Sequence, residues 1–365
     1  MSKKRRVAII GSVGIPARYG GFETLAERLS LELSQNFDLS VYCSSKIYPD
    51  RPKTYNNVRL HFIPLKSNGV QGIFYDIWSI LHALKRNDVL LILGVSGALI
   101  LPFINFSRVK KIVHIDGLEW KRDKWKMMAR RFLKFSEQIA IKYSDEIILD
   151  NKALENILIK THGARRYQLI TYGSEPLLDH FREEDPTPFI PYESYYLCIS
   201  RIVPENNVTL ILSAFTELSH LQLIFVGNWN VNSYSRSVYD AFKKFPNLDL
   251  RHPIYDQTKI GILRKNCLAY IHGHSAGGTN PSLVEAMRSG LPVFAFDVPF
   301  NRETMKSEGL YFSSKESLID IIRSMCKPKL LEIGLRLKSI AETHYKWKEV
   351  ASLYAKLFSE NKGDK

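Results

Sequence analysis

Two kinds of apolar pattern alternate along this chain. Short unbroken apolar runs are followed by stretches whose apolar residues return every third or fourth position. The runs have the length of strands buried on both faces, and the periodic stretches have the single apolar side of helices packed on a sheet. In the first half the runs are RVAIIG, DLSVYC, VRLHFIP, VLLILG, KKIVHID, DEIILD and YQLITYG. After the first run, Phe22, Leu25, Ala26, Leu29 and Leu33 fall on one helical face. The pattern stops over residues 173–194, a Pro- and acid-rich stretch that reads as a linker. It resumes with YYLCIS, LQLIFVG, LDLRH, CLAYIHG and LPVFAF, with helices expected near 206–218, 231–245, 256–265, 281–290 and 315–325. This alternation predicts an α/β protein of two doubly wound, Rossmann-like domains, residues 1–172 and 195–343, facing each other across a cleft. Residues 344–365 predict an amphipathic helix with Val350, Leu353, Tyr354 and Leu357 on one side. Such a helix either caps the second domain or crosses back to the first.

One run needs separate treatment. Residues 89–106, VLLILGVSGALILPFINF, carry no charge for 18 positions, the lower edge of a membrane span. Gly94, Ser96, Gly97 and Pro102 interrupt it, so a buried strand followed by a Gly-rich loop is expected. The four cysteines are scattered and form no C-x-x-C pair, and VAIIG is too short for a signal h-region, so no signal sequence is expected. A cytoplasmic protein without a zinc ribbon or a disulfide framework is expected.

Charge divides the chain unevenly. The whole carries +14, and residues 1–172 hold 28 Lys and Arg against 15 Asp and Glu, so almost all of the excess lies in the first domain. That domain is expected to face something anionic. Between Lys121 and Lys134 seven basic residues, among them Lys124, Arg130 and Arg131, are interleaved with aromatics and methionines, including Trp125. A basic helix of this kind suits an anionic membrane surface. No helix-turn-helix, zinc-finger or RNA-recognition pattern accompanies the basicity, so nucleic acid is not an expected partner.

Candidate chemistry clusters at the ends of predicted strands. Residues 272–297, HGHSAGGTNPSLVEAMRSGLPVFAFD, run from a strand through a Gly-rich loop into a helix beginning near Pro281. Loop amides and a helix N-terminus together make an anion site. Glu285, one turn in, suits ribose hydroxyls. In CISRIVPENNV, Arg201 follows a strand directly, where a guanidinium can clamp a diphosphate. Near the start, GSVGIPARYGGFETLAERL holds two glycine clusters, Gly11 with Gly14 and Gly20 with Gly21, and is not the dinucleotide fingerprint G-x-G-x-x-G. The first pair suits the turn out of the strand, and the second a close backbone approach to a ligand. In HIDGLEWKRDKW, His114, Asp116 and Glu119 follow a strand and are expected at the cleft.

These stretches resemble the GT-B glycosyltransferases, specifically retaining glycosyltransferase family 4. EAMRSGLPV matches the family's run after its second Glu, which falls on Glu285, and Arg201 matches its Arg. GIPARYGGFETLAE with DGLEWKRDKW resembles a narrower group, the bacterial rhamnosyltransferases of capsule and O-antigen assembly. At two positions the chain departs from the family: Gly277 stands where the first Glu belongs, and Asn206 where a Lys does. The resemblance implies a nucleotide-sugar donor held by Arg201, Asn206, Gly278, Thr279, Asn280, Pro281, Ser282 and Glu285, with Gly20 and Gly21 reaching it. His114 is expected to touch the sugar and Asp116 an acceptor hydroxyl. A lipid diphosphate-linked saccharide acceptor and the inner membrane face are expected at Glu119, Trp120, Lys121, Lys124, Trp125, Arg130 and Arg131. The subfamily implies dTDP-L-rhamnose as donor and a peripheral place on the membrane. No metal or other cofactor is implied, and no D-x-D motif occurs. A UDP- or GDP-sugar donor, or a non-catalytic sugar-nucleotide binder, stays open.

Overall fold

The structure, a computed structural model, describes residues 4–18, 20–115, 117, 120, 127–163, 167–175 and 189–363. It divides into two compact units: the described residues up to Tyr172 with those from Trp347 onward, and those from Gly173 to Lys346.

The first unit is built on an eight-stranded sheet. Its strands are β1 (Arg6–Ile10), β2 (Asp38–Ser44), β3 (Thr54–Tyr55), β4 (Val58–Ile63), β5 (Val89–Leu93), β6 (Lys110–Ile115), β7 (Glu146–Leu149) and β8 (Gln168–Leu169). Its helices are α1 (Gly21–Leu33), α2 (Val70–Leu84), α3 (Met127–Tyr143) and α4 (Lys152–His162), with a 3-10 segment at Ala98–Ile104. The strand order is β3-β4-β2-β1-β5-β6-β7-β8, parallel except for the β3–β4 pair. The 18-residue uncharged run resolves into β5, buried at all five positions, then Gly94 at φ +90° and the 3-10 segment. Among the described residues no helix is long and apolar enough to cross a membrane.

The second unit has a fully parallel six-stranded sheet in the order β11-β10-β9-β12-β13-β14. These strands are β9 (Tyr196–Ile199), β10 (Leu223–Val226), β11 (Leu248–Arg251), β12 (Ala269–His272), β13 (Val293–Phe296) and β14 (Leu310–Phe312). The helices are α5 (Val208–Glu217), α6 (Ser233–Phe242), α7 (Gln257–Asn266), α8 (Pro281–Arg288), α9 (Pro299–Thr304), α10 (Lys315–Ser324) and α11 (Lys327–His344). Each sheet is covered on both faces, as all-parallel strands require, and each unit has two apolar clusters, one per face.

The last helix, α12 (Trp347–Ser359), belongs to the first unit. It lies beside α1 and buries Trp347, Val350, Ala351, Tyr354, Leu357 and Phe358 in the cluster under β1, β2 and β5. Leu353, expected on the apolar side, faces outward. Cations hold the helix's negative end: Lys110 Nζ donates to the Leu357 carbonyl at 2.9 Å and Arg5 to that of Ser359 at 2.8 Å.

Candidate functional site

In doubly wound sheets ligands bind where strand order reverses, outside the strands' C-terminal ends. The second unit reverses between β9 and β12. The residues after those two strands are the two motifs singled out from sequence. Arg201, one residue beyond Ser200, has an exposed side chain. Its carbonyl accepts from the Asn206 side-chain amide at 2.8 Å. Asn206, expected as a donor contact, is 1% exposed, so it braces the loop that carries Arg201 and presents no group to a ligand. A lysine there would bring a buried charge to a carbonyl that a neutral amide satisfies.

Asn207, which sequence reasoning passed over, ties the two motifs together. It sits in the left-handed region at φ 52°, which Asn tolerates better than most residues, and donates to the Gly273 carbonyl at 2.8 Å. Ser275 N and Oγ both reach the Glu205 carbonyl at 2.8 Å. A Cβ at Gly273 would run into the Asn206 carbonyl. The Arg201 loop and the glycine loop thus form one hydrogen-bonded edge. Asn301, from α9, fastens it from the other side by donating to the His274 and Phe296 carbonyls at 2.9 and 2.8 Å.

The glycine loop leads into α8 as its sequence predicts. Asn280 caps the helix, accepting from Ser282 N at 3.0 Å and Ser282 Oγ at 2.8 Å, and Pro281 fills the first helical position. Asn280 Oδ1 and the Ser282 hydroxyl are therefore engaged with each other. Gly278 and Thr279 are buried. Gly277 lies at φ +131° with open space where a Cβ would stand, so conformation, not crowding, selects glycine. Glu285 is ion-paired with Arg264 of α7, a partner not legible before the fold was known. At the end of β12, His272 stacks on His274 with ring centroids 4.4 Å apart, and burial holds its pKa down to about 3, so it is neutral at physiological pH.

The first unit reverses between β1 and β5. Gly11 follows β1 at φ +96°, and a Cβ there would strike the Leu93 carbonyl at the end of β5. Gly14, at φ +132°, packs where a Cβ would meet Cys43. Gly20 is the N-cap of α1 and Gly21 its first residue. A Cβ on Gly20 would collide with the carboxylate of Glu23, which is buried in the first turn of that helix. The positive end of α1, expected to face a diphosphate, is thus already beside a carboxylate of its own chain, and Gly20 makes room for it.

His114 closes β6 and is 1% exposed. Its Nδ1 pairs with Tyr354 Oη of α12 at 3.0 Å, its ring meets Phe22 edge-on, and burial lowers its pKa to about 3. A neutral imidazole held from behind can accept or donate through Nε2 but carries no charge. Asp116, Glu119, Lys121, Lys124 and Trp125 lie outside the described residues. Trp120 Nε1 donates to Glu137 at 3.2 Å, and Lys134 lies over the Trp120 ring, 5.2 Å from its centroid. Arg130 and Arg131 occupy the first turns of α3 nearby. Among the described residues no group of three His, Cys, Asp or Glu side chains is placed to hold a metal ion.

Asp76 is a second buried acid at this edge, missed because it sits inside an apolar helix. Ser96, in the loop after β5, donates to it, yet burial dominates and raises its pKa to about 7. The folded state therefore binds this proton more tightly than the unfolded chain does. The stabilisation is fully present below about pH 4 and is lost as pH rises through 7, up to about 4 kcal/mol in all. Asp76→Asn should accordingly raise the melting temperature at pH 8.5 and change it little at pH 5. An equal shift at both pH values would refute this account.

Comparisons with known proteins agree with this architecture. Residues 4–175 match a family model described as a domain of unknown function (DUF1972), and residues 181–341 match the one described as glycosyl transferases group 1. Among solved structures the chain resembles sucrose-phosphate synthase from Thermosynechococcus elongatus, with TM-score 0.82 and 16% identity over 98% of this chain and 100% of that one. It also resembles WaaG, a glycosyltransferase involved in lipopolysaccharide biosynthesis, with TM-score 0.71 and 14% identity over 98% and 100%. HepE from Anabaena, solved in complex with UDP, matches with TM-score 0.70 and 13% identity over 97% and 99%. Residues 181–341 thus match the glycosyl transferases group 1 model, and the chain has the fold of the GT-B glycosyltransferases.

Proposed function

We propose that this GT-B glycosyltransferase moves L-rhamnose from dTDP-L-rhamnose to a lipid diphosphate-linked saccharide in bacterial surface polysaccharide assembly, with retention at the anomeric carbon. One observation carries the donor half of this reading: the exposed Arg201 and the glycine loop 273–280 are hydrogen-bonded into one edge at the strand-order reversal of the second unit. A nucleoside diphosphate laid there meets a guanidinium and loop amides, groups suited to the charge that builds on the leaving diphosphate. Glu285, steadied by Arg264, is the ribose acceptor. The rhamnosyl donor and lipid-linked acceptor rest on the resemblance of the two N-terminal motifs and on the cationic first domain.

Gly277 removes a carboxylate from beside the sugar, and with it one candidate for double displacement. Same-face attack within an ion-pair-like transition state fits better. The acceptor hydroxyl bonds to the anomeric carbon as the bond to the diphosphate breaks, and its proton passes to the departing phosphate oxygen. Turnover with a panel of dTDP-, UDP- and GDP-sugars on lipid diphosphate-linked acceptors tests the proposal. Release of dTDP only with dTDP-L-rhamnose supports it, and turnover confined to a UDP- or GDP-sugar overturns the donor assignment. Binding without turnover on any acceptor would make the chain a sugar-nucleotide binder. Because the sequence carries no D-x-D motif, EDTA should leave turnover largely intact. Loss on chelation that Mg²⁺ or Mn²⁺ restores would count against a metal-independent reaction.

A further inference from the structure

Helix α2 is apolar on the side that it buries and also on the side that it shows. Tyr75, Ile80 and Ala83 enter the core. Val70, Phe74, Trp78 and Leu81, spaced at helical turns along the other side, are exposed, Val70 at 74% and Trp78 at 51%. The 3-10 segment, packed beside α2 in the same apolar cluster, adds Phe103 and continues to Phe106, which is 94% exposed. Next on that sheet face, α3 exposes Met127, Met128 and Phe135. Exposed apolar surface running across three neighbouring elements is rare in a protein that meets only water.

The charge on the same elements has one sign. Residues 66–86, 98–108 and 127–143 contain eight Lys and Arg and two carboxylates, Asp76 and Glu137, both buried. A depression of about 360 Å³ on this face is lined by Trp120, Met127, Arg130, Arg131 and Lys134. Two copies of the chain meeting here would bring like charges together, which opposes self-association. An anionic bilayer supplies both complements: headgroup phosphates for the cations and the acyl boundary for the aromatic rings.

We infer that α2, the segment 98–106 and α3 form a single bilayer-docking face, with Phe74, Trp78 and Phe106 entering the lipid and Arg131 and Lys134 pairing with anionic headgroups. The inference rests on the reading of the acceptor as lipid-linked, and it assigns the apolar hold to α2 and the 98–106 segment, outside the basic stretch expected from sequence. Trp78 is a built-in reporter. Wild-type protein should sediment with phosphatidylglycerol-containing vesicles and not with phosphatidylcholine alone. Lipids brominated near the headgroup end of the acyl chain should quench its tryptophan emission, and Trp78→Phe should reduce that quenching, the remainder coming from Trp120 on the same face. Phe74→Ser with Trp78→Ser and Phe106→Ser, all at exposed sites, should lower partitioning at least tenfold with an unchanged circular dichroism spectrum. Arg131→Glu with Lys134→Glu should abolish the preference for anionic lipid. Triple-serine protein that partitions like wild type, quenching left undiminished by Trp78→Phe, or wild type that binds neither vesicle overturns the inference. So does a wild-type dimer that the triple-serine variant converts to monomer, since the face would then join two copies. Binding of dTDP, measured by calorimetry without vesicles, is the parallel control. Its absence refutes the donor reading and leaves the vesicle result to decide docking by itself.

Discussion

A chain ending at Lys346 should fail to yield a folded first unit, although every strand of that sheet would be present. The missing α12 supplies six buried side chains, five of them large, to the cluster beneath β1, β2 and β5. At roughly 1.5–3 kcal/mol for each large side chain, their loss is comparable to the ~5–15 kcal/mol by which whole domains are stable. It also strips Lys110, buried in β6, of the Leu357 carbonyl to which it donates. Soluble yield and protease resistance of residues 1–346 measure the effect. A rearranged chain, residues 344–365 joined by a flexible linker to residues 1–175, should recover cooperative unfolding. Full thermal stability of residues 1–175 by themselves would show that α12 is dispensable.

Arg201→Ala should cost about 1.5–3 kcal/mol of nucleoside diphosphate affinity, roughly ten- to a hundredfold in Kd, the range for hydrogen bonds to charged groups. The side chain is exposed, so the fold should be unaffected. Asn206→Ala is the informative companion. The Asn206 side-chain amide donates to the Arg201 carbonyl, so its loss should weaken binding by letting the loop move, and less than loss of the guanidinium itself. Calorimetric titration with dTDP decides both. Unchanged affinity in folded Arg201→Ala protein would remove the diphosphate from this edge, and an Asn206→Ala effect larger than that of Arg201→Ala would make Asn206 the direct contact.

The parallel strands were legible because burial on both faces writes an unbroken apolar run, as in β5 and β10. Helix α11 was not. Its buried Leu330, Ile333 and Leu337 alternate with exposed Leu331 and Leu335, so no single apolar face stands out over its 18 residues. For α12 the amphipathic pattern was plain, but a pattern names a face and not what covers it. Leu353 was drawn to the wrong side for the same reason. Among the candidate site residues, Pro281 at the first turn of α8 could be read, because local chain geometry fixes it. Those defined by a neighbour distant in sequence could not. The Arg264 partner of Glu285 lies on another helix, and the Asn207 tie to Gly273 spans 66 residues.

The return of α12 also sets a timetable. Translation at about 5–20 residues per second places Trp347 some 9–35 s behind Tyr172. Through that interval the nascent first unit has its sheet but not the helix that seals one face of it, and Val7, Ile9, Val41 and Leu91 on that face await their cover. The second unit, whose strands and helices all lie between Gly173 and Lys346, can be complete before the first is. The half made first is thus the last to receive its full cover.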